Sequence, residues 1–341
     1  MAEIVRYVDP DATGTGDGES WENAYTSLNA CEAAEEQDLT DGDGDIFIVY
    51  CRASSGTADT IAVAFQNFTT SETCTVNIIG DNTIGKWNTS AYRLSIDDAD
   101  AFTLTNINYA NVNNLQIEVT GATGTNRSVL LCLFWGSPGP KLTNIDSCIF
   151  KGNNGNVCAY PLNDPFSDND GNIVVKNSIF YELNVSDIGC CIINSNSANF
   201  YNCVFTDNHT GFRLIGGSAT LTNCVLFNNT DDIIGSPTIA YSAGDDADFS
   251  SGTGNIQWTN GATDWAANFT NYATGDFSVK DTDADIYHAG TDVGIDTDII
   301  GTSWNDPPSI GAFEYVSGEP PAEDIWKGGR WQYYQDIFLR N

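Results

Sequence analysis

The side chains of this sequence that could do chemistry are overwhelmingly carboxylates. Forty-six Asp and Glu stand against 13 Lys and Arg and two His in 341 residues, a formal net charge of −33. A glycoside hydrolase acting on a neutral glycan needs only two facing carboxylates, one to protonate the leaving oxygen and one to attack or to activate water. The grouping that fits best is Asp207 with the pair Asp231 and Asp232, with His209 and Arg213 close by in sequence. Carboxylates are so frequent here that a grouping of this kind is expected by chance, so the reading leans away from an enzyme. β-Elimination on uronates would need a base such as Lys or Arg, plus cations to neutralise the substrate carboxylate. The chain is poor in basic residues, and its charge repels polyanionic substrates.

Carboxylates can also hold hard cations. In Asp9-Pro-Asp11-Ala-Thr-Gly-Thr-Gly-Asp17-Gly-Glu19, oxygen-bearing side chains alternate as in a calcium loop, but Ser20 stands where an EF-hand places its bidentate Glu. The same Asp/Gly pattern is turn chemistry, and that is the preferred reading. Asp281, Asp283 and Asp285, with Asp296 and Asp298 nearby, form a second calcium candidate. No other cofactor is expected. The two histidines, His209 and His288, cannot build a zinc site with such dispersed cysteines, and Cys190-Cys191 reads as one inward and one outward strand residue.

The elements that would carry these residues read as strands. Gly, Asn, Thr, Ser and Asp are abundant while Met and Lys are scarce, a mix that favours turns and strands over long helices. So negative a surface repels nucleic acid and anionic membranes, and neither is an expected partner. The opening Met1–Arg6 has no basic or apolar leader region and no stretch reaches transmembrane length, so synthesis in a cytoplasm is expected. The ten cysteines then read as reduced thiols packed as small hydrophobes.

A repeat organises the middle of the chain. Cys148-Ile-Phe150, Ser178-Ile-Phe180, Cys203-Val-Phe205 and Cys224-Val-Leu226 share one pattern, with pivots 30, 25 and 21 residues apart. An irregular period carried by short β-branched runs is what one turn of a large β-coil needs. Five residues past the pivots, Asn153, Asn208 and Asn229 recur, with Leu183 breaking the series, and stacked amides at a corner could bond from rung to rung. A second strand per coil is readable at Val157–Ala159, Cys190–Ile193, Phe212–Ile215 and Asp232–Ile234. With rungs about 4.8 Å apart, some eight coils between residues 46 and 240 would span roughly 40 Å. Ser20 is the expected N-cap of an amphipathic capping helix running to about Glu36, followed by strand Ile46–Tyr50, whose unbroken apolar run suggests cover on both sides.

Here the sequence resembles a known group. Tyr7-Val-Asp-Pro-Asp-Ala-Thr-Gly14 and Asp17-Gly-Glu-Ser-Trp-Glu-Asn-Ala24 are similar to the opening of right-handed parallel β-helix repeat proteins of the pectate-lyase-like superfold. Thr274–Lys280, Ile286–Gly290, Asp296–Asp298 and the signature Ser309-Ile-Gly-Ala-Phe-Glu-Tyr315 are similar to their closing segment. The resemblance implies an all-β, single-stranded right-handed parallel β-helix with an N-terminal capping helix and an extended C-terminal tail. The expected parts are a cap (1–45), the β-helix (46–316, with irregular closing coils from about 241) and a linker with tail (317–341). Members include surface proteins, phage virion proteins and polysaccharide-degrading enzymes, so the resemblance speaks to fold more than function. The Gly-His-Gly and Arg-Ile-Lys signatures of β-helical pectin hydrolases are absent.

The chain departs from that group beyond Tyr315. After a short acidic linker, Trp326, Lys327, Arg330, Trp331, Tyr333, Tyr334 and Phe338 concentrate aromatic and basic side chains at the end of an acidic rod. Such a composition suits an interface anchor, or a cover for the last coil. The leading expectation is a non-enzymatic structural protein of a virus particle: a bacteriophage capsid decoration, fibre or spike subunit. It would dock through its tail onto other virion proteins or onto itself, a homotrimer being one arrangement. The alternatives are a carbohydrate-binding surface adhesin, extracellular and contacting glycan through Trp87, Tyr92 or Trp135, and a polysaccharide-degrading depolymerase spike.

Overall fold

The computed structural model describes residues 2–121, 127–133, 141–152, 157–163, 171–184, 191–194 and 197–316. Three long sheets run side by side, and every strand pair within them is parallel. The first has nine strands, from Ala2–Val8 through Asp45–Cys51 and Lys141–Asp146 to Thr238–Ala240; the others have eight and seven. From Val63–Phe65 to Ala243–Gly244 successive strands enter the three sheets in rotation, so each of these coils lays one strand on each face. The chain is a right-handed parallel β-helix.

The register explains why the coil closes without slippage. Ile145, Val175, Phe200 and Leu221 stand directly above one another, all fully buried, so a one-residue slip would turn an apolar column outward. The eight-stranded sheet begins one residue past the expected pivots, at Ile149, Ile179, Val204 and Val225. The rings of Phe150, Phe180 and Phe205 stack along it, with centroids 4.8 and 4.9 Å apart. Equal positions on successive rungs lie one strand spacing apart, close to the optimum for offset aromatic stacking. Cys148, Cys203 and Cys224 form an inner column, and their thiols donate to the carbonyls of Val112, Val175 and Phe200. Burial pushes the Cys148 thiol up to about 12, which suits a packed, unreactive sulfur. The readable second strand of each coil belongs to the seven-stranded sheet. Each coil also has a third strand just before the pivot: Gly171–Lys176, Ser197–Tyr201 and Ser218–Thr222. A two-residue corner separates it from the next strand, and its first residue, Asn177, Asn202 or Asn223, has φ of 48°, 53° and 55°. Asn tolerates that left-handed conformation better than any other non-Gly residue, which is why it recurs there.

Two local expectations are corrected. The helix spans Leu28–Glu35, not 21–36, and its N-cap is Ser27, whose Oγ accepts from Ala30 N at 3.1 Å. Residues 20–26 are held otherwise: Trp21 packs on Tyr7 with centroids 4.6 Å apart, and Tyr25 N donates to Tyr7 O at 2.9 Å. The buried Asp59 carboxylate accepts from Leu28 N at 2.7 Å and adds a second anchor at the helix start. The helix packs on the edge strands Ala2–Val8 and Val63–Phe65, burying Leu28 and Cys31. Strand Asp45–Cys51 is covered on one face only, with Phe47, Val49 and Cys51 buried and Ile48 and Tyr50 half-buried.

The segment expected to add irregular coils from about residue 241 adds two short strands, Ala243–Gly244 and Ile256–Gln257, and then turns back. It lies on the outer side of the eight-stranded sheet, where Ile286, Ile310 and Phe313 cover Ile149, Ile179, Val204 and Val225 in a second apolar core. Gly311, at φ 105°, donates its N–H to Asn223 O at 2.8 Å, and a side chain there would press on Val225. The signature's Glu314 is buried and accepts from Asn305 N, Ser309 N, Ser309 Oγ and Tyr315 N, stapling the end of the fold.

Candidate functional site

The three candidate catalytic carboxylates have different fates. Asp207 occupies the corner between strands Val204–Thr206 and Thr210–Leu214, at φ 56°, in a column with Glu182 and Asn228 that share that conformation. Its carboxylate accepts from Thr206 Oγ1 at 3.2 Å and from Asn228 Nδ2, and burial raises its pKa. One coil further on, Asp232 is 1% exposed. It accepts from Asn229 Nδ2 at 2.8 Å and Asp245 N at 3.2 Å, while its own N–H donates to Asp246 Oδ2 at 3.0 Å. Burial first, then the charges of Asp245 and Asp246, push its carboxyl up to about 9. A protonated acid is what a glycosidase needs, but one sealed beneath the loop at 245–246 cannot reach a substrate.

Asp231 is exposed and meets Asp246 and Asp248, with one oxygen of each lying within 4.8 Å of the others. Burial and then the charges of Asp246 and Asp231 lift Asp248 to about 6. Among the described residues this is the group whose carboxylates converge, a geometry able to take a hard cation. Sequence reasoning missed Asp245, Asp246 and Asp248. The visible signal was the run Gly244-Asp-Asp-Ala-Asp248, but only the turn after Ala243–Gly244 lays it over the preceding coil. Of the two nearby residues singled out with them, His209 donates its backbone N–H to Leu183 O, and Arg213 sits in register between Ile192 and Ile234.

The proposed calcium loops do not converge in this way. Asp9 is 1% exposed, pairs with Arg52 at 2.9 Å and accepts from Asp11 N and Ser54 N. Asp11 accepts from Thr57 Oγ1 and Ser55 N, and Asp17 from Thr15 Oγ1 and Glu19 N; these bonds hold both carboxyls below the usual range. Asp281 accepts from Asp283 N at 2.9 Å, and Asp285 is exposed. Asp298 takes the N–H groups of Ile300, Thr302 and Glu314, and burial raises it to about 6. Asp285 apart, the oxygens satisfy backbone donors of their own or a neighbouring turn.

The described basic groups are likewise engaged. Arg6 pairs with Glu35, Arg127 with Asp98, and Lys151 sits between Glu118 and Glu182. Arg93 donates to the Gly56 and Thr89 carbonyls, and Lys280 to the Ala266 carbonyl. Of the expected glycan contacts, Tyr92 is corrected: it is fully buried, with its hydroxyl donating to Asp59 at 2.7 Å. Trp87 lies half-buried beside Lys151 Nζ, 5.2 Å from its ring centre. Trp135, Asn153, Cys190 and the tail residues Trp326, Lys327, Arg330, Trp331, Tyr333, Tyr334 and Phe338 lie outside the described residues. Asn208 and Asn229 do bridge rungs, but through the backbone: their Nδ2 groups donate to Phe180 O and Phe205 O, both at 3.1 Å.

No family model matches the chain, and no curated protein does. Among solved structures the chain is similar to the crystal structure of a pectate lyase, Pel9A, with 15% identity over 92% of this chain and 96% of that one, at a TM-score of 0.44. The β-helix is defined by the strand order and register above, and no activity follows from this likeness.

Proposed function

We propose that the chain is a non-enzymatic structural protein, a rigid β-helical rod that works by presenting its faces and its C-terminal end to partners. The observation that carries this reading is the commitment of its reactive groups. Asp207 fills a corner, Asp232 is sealed under a loop, and the arginines and lysines named above are tied to partners within the chain. A parallel β-helix stiffened on one side by a second core is suited to transmitting position, with little need to move.

Within that reading, the setting is a virus particle, where the chain would be a bacteriophage decoration, fibre or spike subunit. Supporting it is the tail, where three basic residues and five aromatics fall within residues 325–341 of an otherwise acidic chain. Arg and aromatic side chains are the usual anchors of protein interfaces. Sedimentation of the full chain against one ending at Val316 tests this. Loss of self-association or of particle binding, with the rod still folded, is the expected result. Two identical monomers, or measurable cleavage of a polysaccharide by the full chain, would overturn it.

A further inference from the structure

A cleft of about 240 Å³ opens where the closing segment crosses the β-helix, between the loop at 291–297 and the stretch around Trp304. Asn202, Asp292, Asp296, Trp304, Asn305 and Asp306 line it. It is a built feature, because its walls are pinned by the amide column at the corner of the coils. Asn177 Nδ2 donates to Thr297 O at 3.1 Å, and Asn223 bonds both the N–H and the carbonyl of Thr291, at 2.9 and 2.8 Å. The rung between them is Asn202, and there the loop stands off and leaves the space. The far wall is fixed by Trp304 N on Asp296 O, by the bridge between Thr297 and Ser303, and by Asn305 N on Glu314. A site held open by its own hydrogen bonds binds without the cost of ordering loops.

Its chemistry selects a ligand class. Three carboxylates and the Asn305 amide offer acceptors and donors at separate points, while Val293 and Ile295 with the indole supply apolar faces; the Asn202 amide, committed to Asn177 and Asn223, only floors the cleft. Among the described residues, Asp292, Asp296 and Asp306 are not a convergent carboxylate group, so this is no single-ion cage. No Lys or Arg lines the cleft, which excludes phosphate and uronate. The volume falls below that of a drug-sized pocket and suits one small ring. The Trp304 indole N–H is buried with no acceptor among the described residues.

We propose that this cleft is a binding site for one neutral pyranose ring of a glycan, its hydroxyls donating to Asp292, Asp296 and Asp306 and its apolar face set against Trp304. The site is independent of the scaffold role and gives the rod something to hold.

The experiment is saturation-transfer NMR and calorimetry on the full chain, using neutral methyl pyranosides (gluco, galacto, manno and N-acetylated). Methyl glucuronide and a small alkylammonium ion serve as contrasts. At least one neutral sugar is expected to bind, with affinity reduced at least tenfold by Trp304→Ala and several-fold by Asp296→Asn, an exposed position whose change leaves the fold intact. Trp304→Phe, which keeps a ring but lacks the N–H, should fall between wild type and Ala. Binding of the uronide or the ammonium alone, binding unchanged by Asp296→Asn, or no neutral sugar bound by a folded full chain would each overturn the proposal.

Discussion

Two corners of the same coils solve the stacking of polar groups in opposite ways. At the corner of Asn177, Asn202 and Asn223, each amide donates to the one on the rung before: Asn223 Nδ2 to Asn202 Oδ1 at 3.0 Å, and Asn202 Nδ2 to Asn177 Oδ1 at 3.3 Å. At the corner of Asp231, Asp232, Asp245, Asp246 and Asp248, the stacked groups are acids. An amide carries donor and acceptor together, so a column of them is neutral and self-satisfied at any pH. A column of carboxylates has acceptors only, and burial, reinforced by the charges of Asp245 and Asp246, drives Asp232 to about 9, so that it keeps a proton. The first corner is therefore a permanent staple and the second a pH-dependent one.

The sharpest way to break this contrast is to make the first corner resemble the second. Asn202→Asp removes the donor to Asn177 and puts a charge at a position 1% exposed. Chemical denaturation at neutral pH should show a loss of roughly 3–5 kcal/mol. The buried acid would have a raised folded pKa, so the loss should shrink on acidification and grow as pH rises through the ordinary carboxylate range. A pH-independent loss would mean that the damage is steric.

Next in size is Asn223→Ala, which forfeits the bonds to Asn202 and Thr291 and leaves a Cβ-bearing residue without side-chain support at φ 55°. A cost of about 2–4 kcal/mol is expected. Asn223→Gly relieves the conformation but not the bonds, so the difference between the two variants, read from denaturant midpoints, isolates the left-handed term.

Asp232→Asn tests the acidic corner and should change the shape of the stability curve more than its height. The folded carboxyl sits at about 9 against an ordinary value of 3.8. The native state therefore holds a proton that the unfolded chain has released, and stability must fall as pH rises through that window. Thermal melts of the wild type should decline from about pH 4 to about pH 9. The variant should be flatter, less stable at the acid end, where it loses an acceptor, and more stable at the alkaline end. Parallel curves for the two proteins would refute the protonated corner. The smallest effect belongs to the exposed pair of Arg127 and Asp98, 3.0 Å apart. Arg127→Ala should cost no more than about 1 kcal/mol, and less at high salt.

Much of the scaffold was legible because its causes are local. The repeating Cys/Ser-Ile/Val-Phe/Leu pattern marks an inward residue every rung, and strand alternation then orients its neighbours. Asn at each corner follows from the left-handed turn, but Asn177, Asn202 and Asn223 do not look different in sequence from Asn208 and Asn229. The capping helix was misplaced because Ser20 and Ser27 are equally good caps in isolation. Only the packing of Trp21 on Tyr7 and the carboxylate of Asp59 decide between them.

The candidate sites were much less legible. Asp207, Asp231 and Asp232 were recognisable as carboxylates in adjacent coils, but their protonation and access depend on which residues lie over them. Asp232 meets Asp245 and Asp246, thirteen and fourteen positions away, through a turn with no distinctive pattern. The cleft joins Asn202 to Trp304 across about a hundred residues, because the closing segment turns back along the eight-stranded sheet. Sequence alone determined the coil, its inward columns and its amide corners, since period, side-chain alternation and backbone preference act between neighbours on the chain or at equal positions on successive turns. Tertiary structure decided which carboxylate is sealed, which keeps a proton and where an open space remains, because burial and charge repulsion depend on contacts that no repeat encodes.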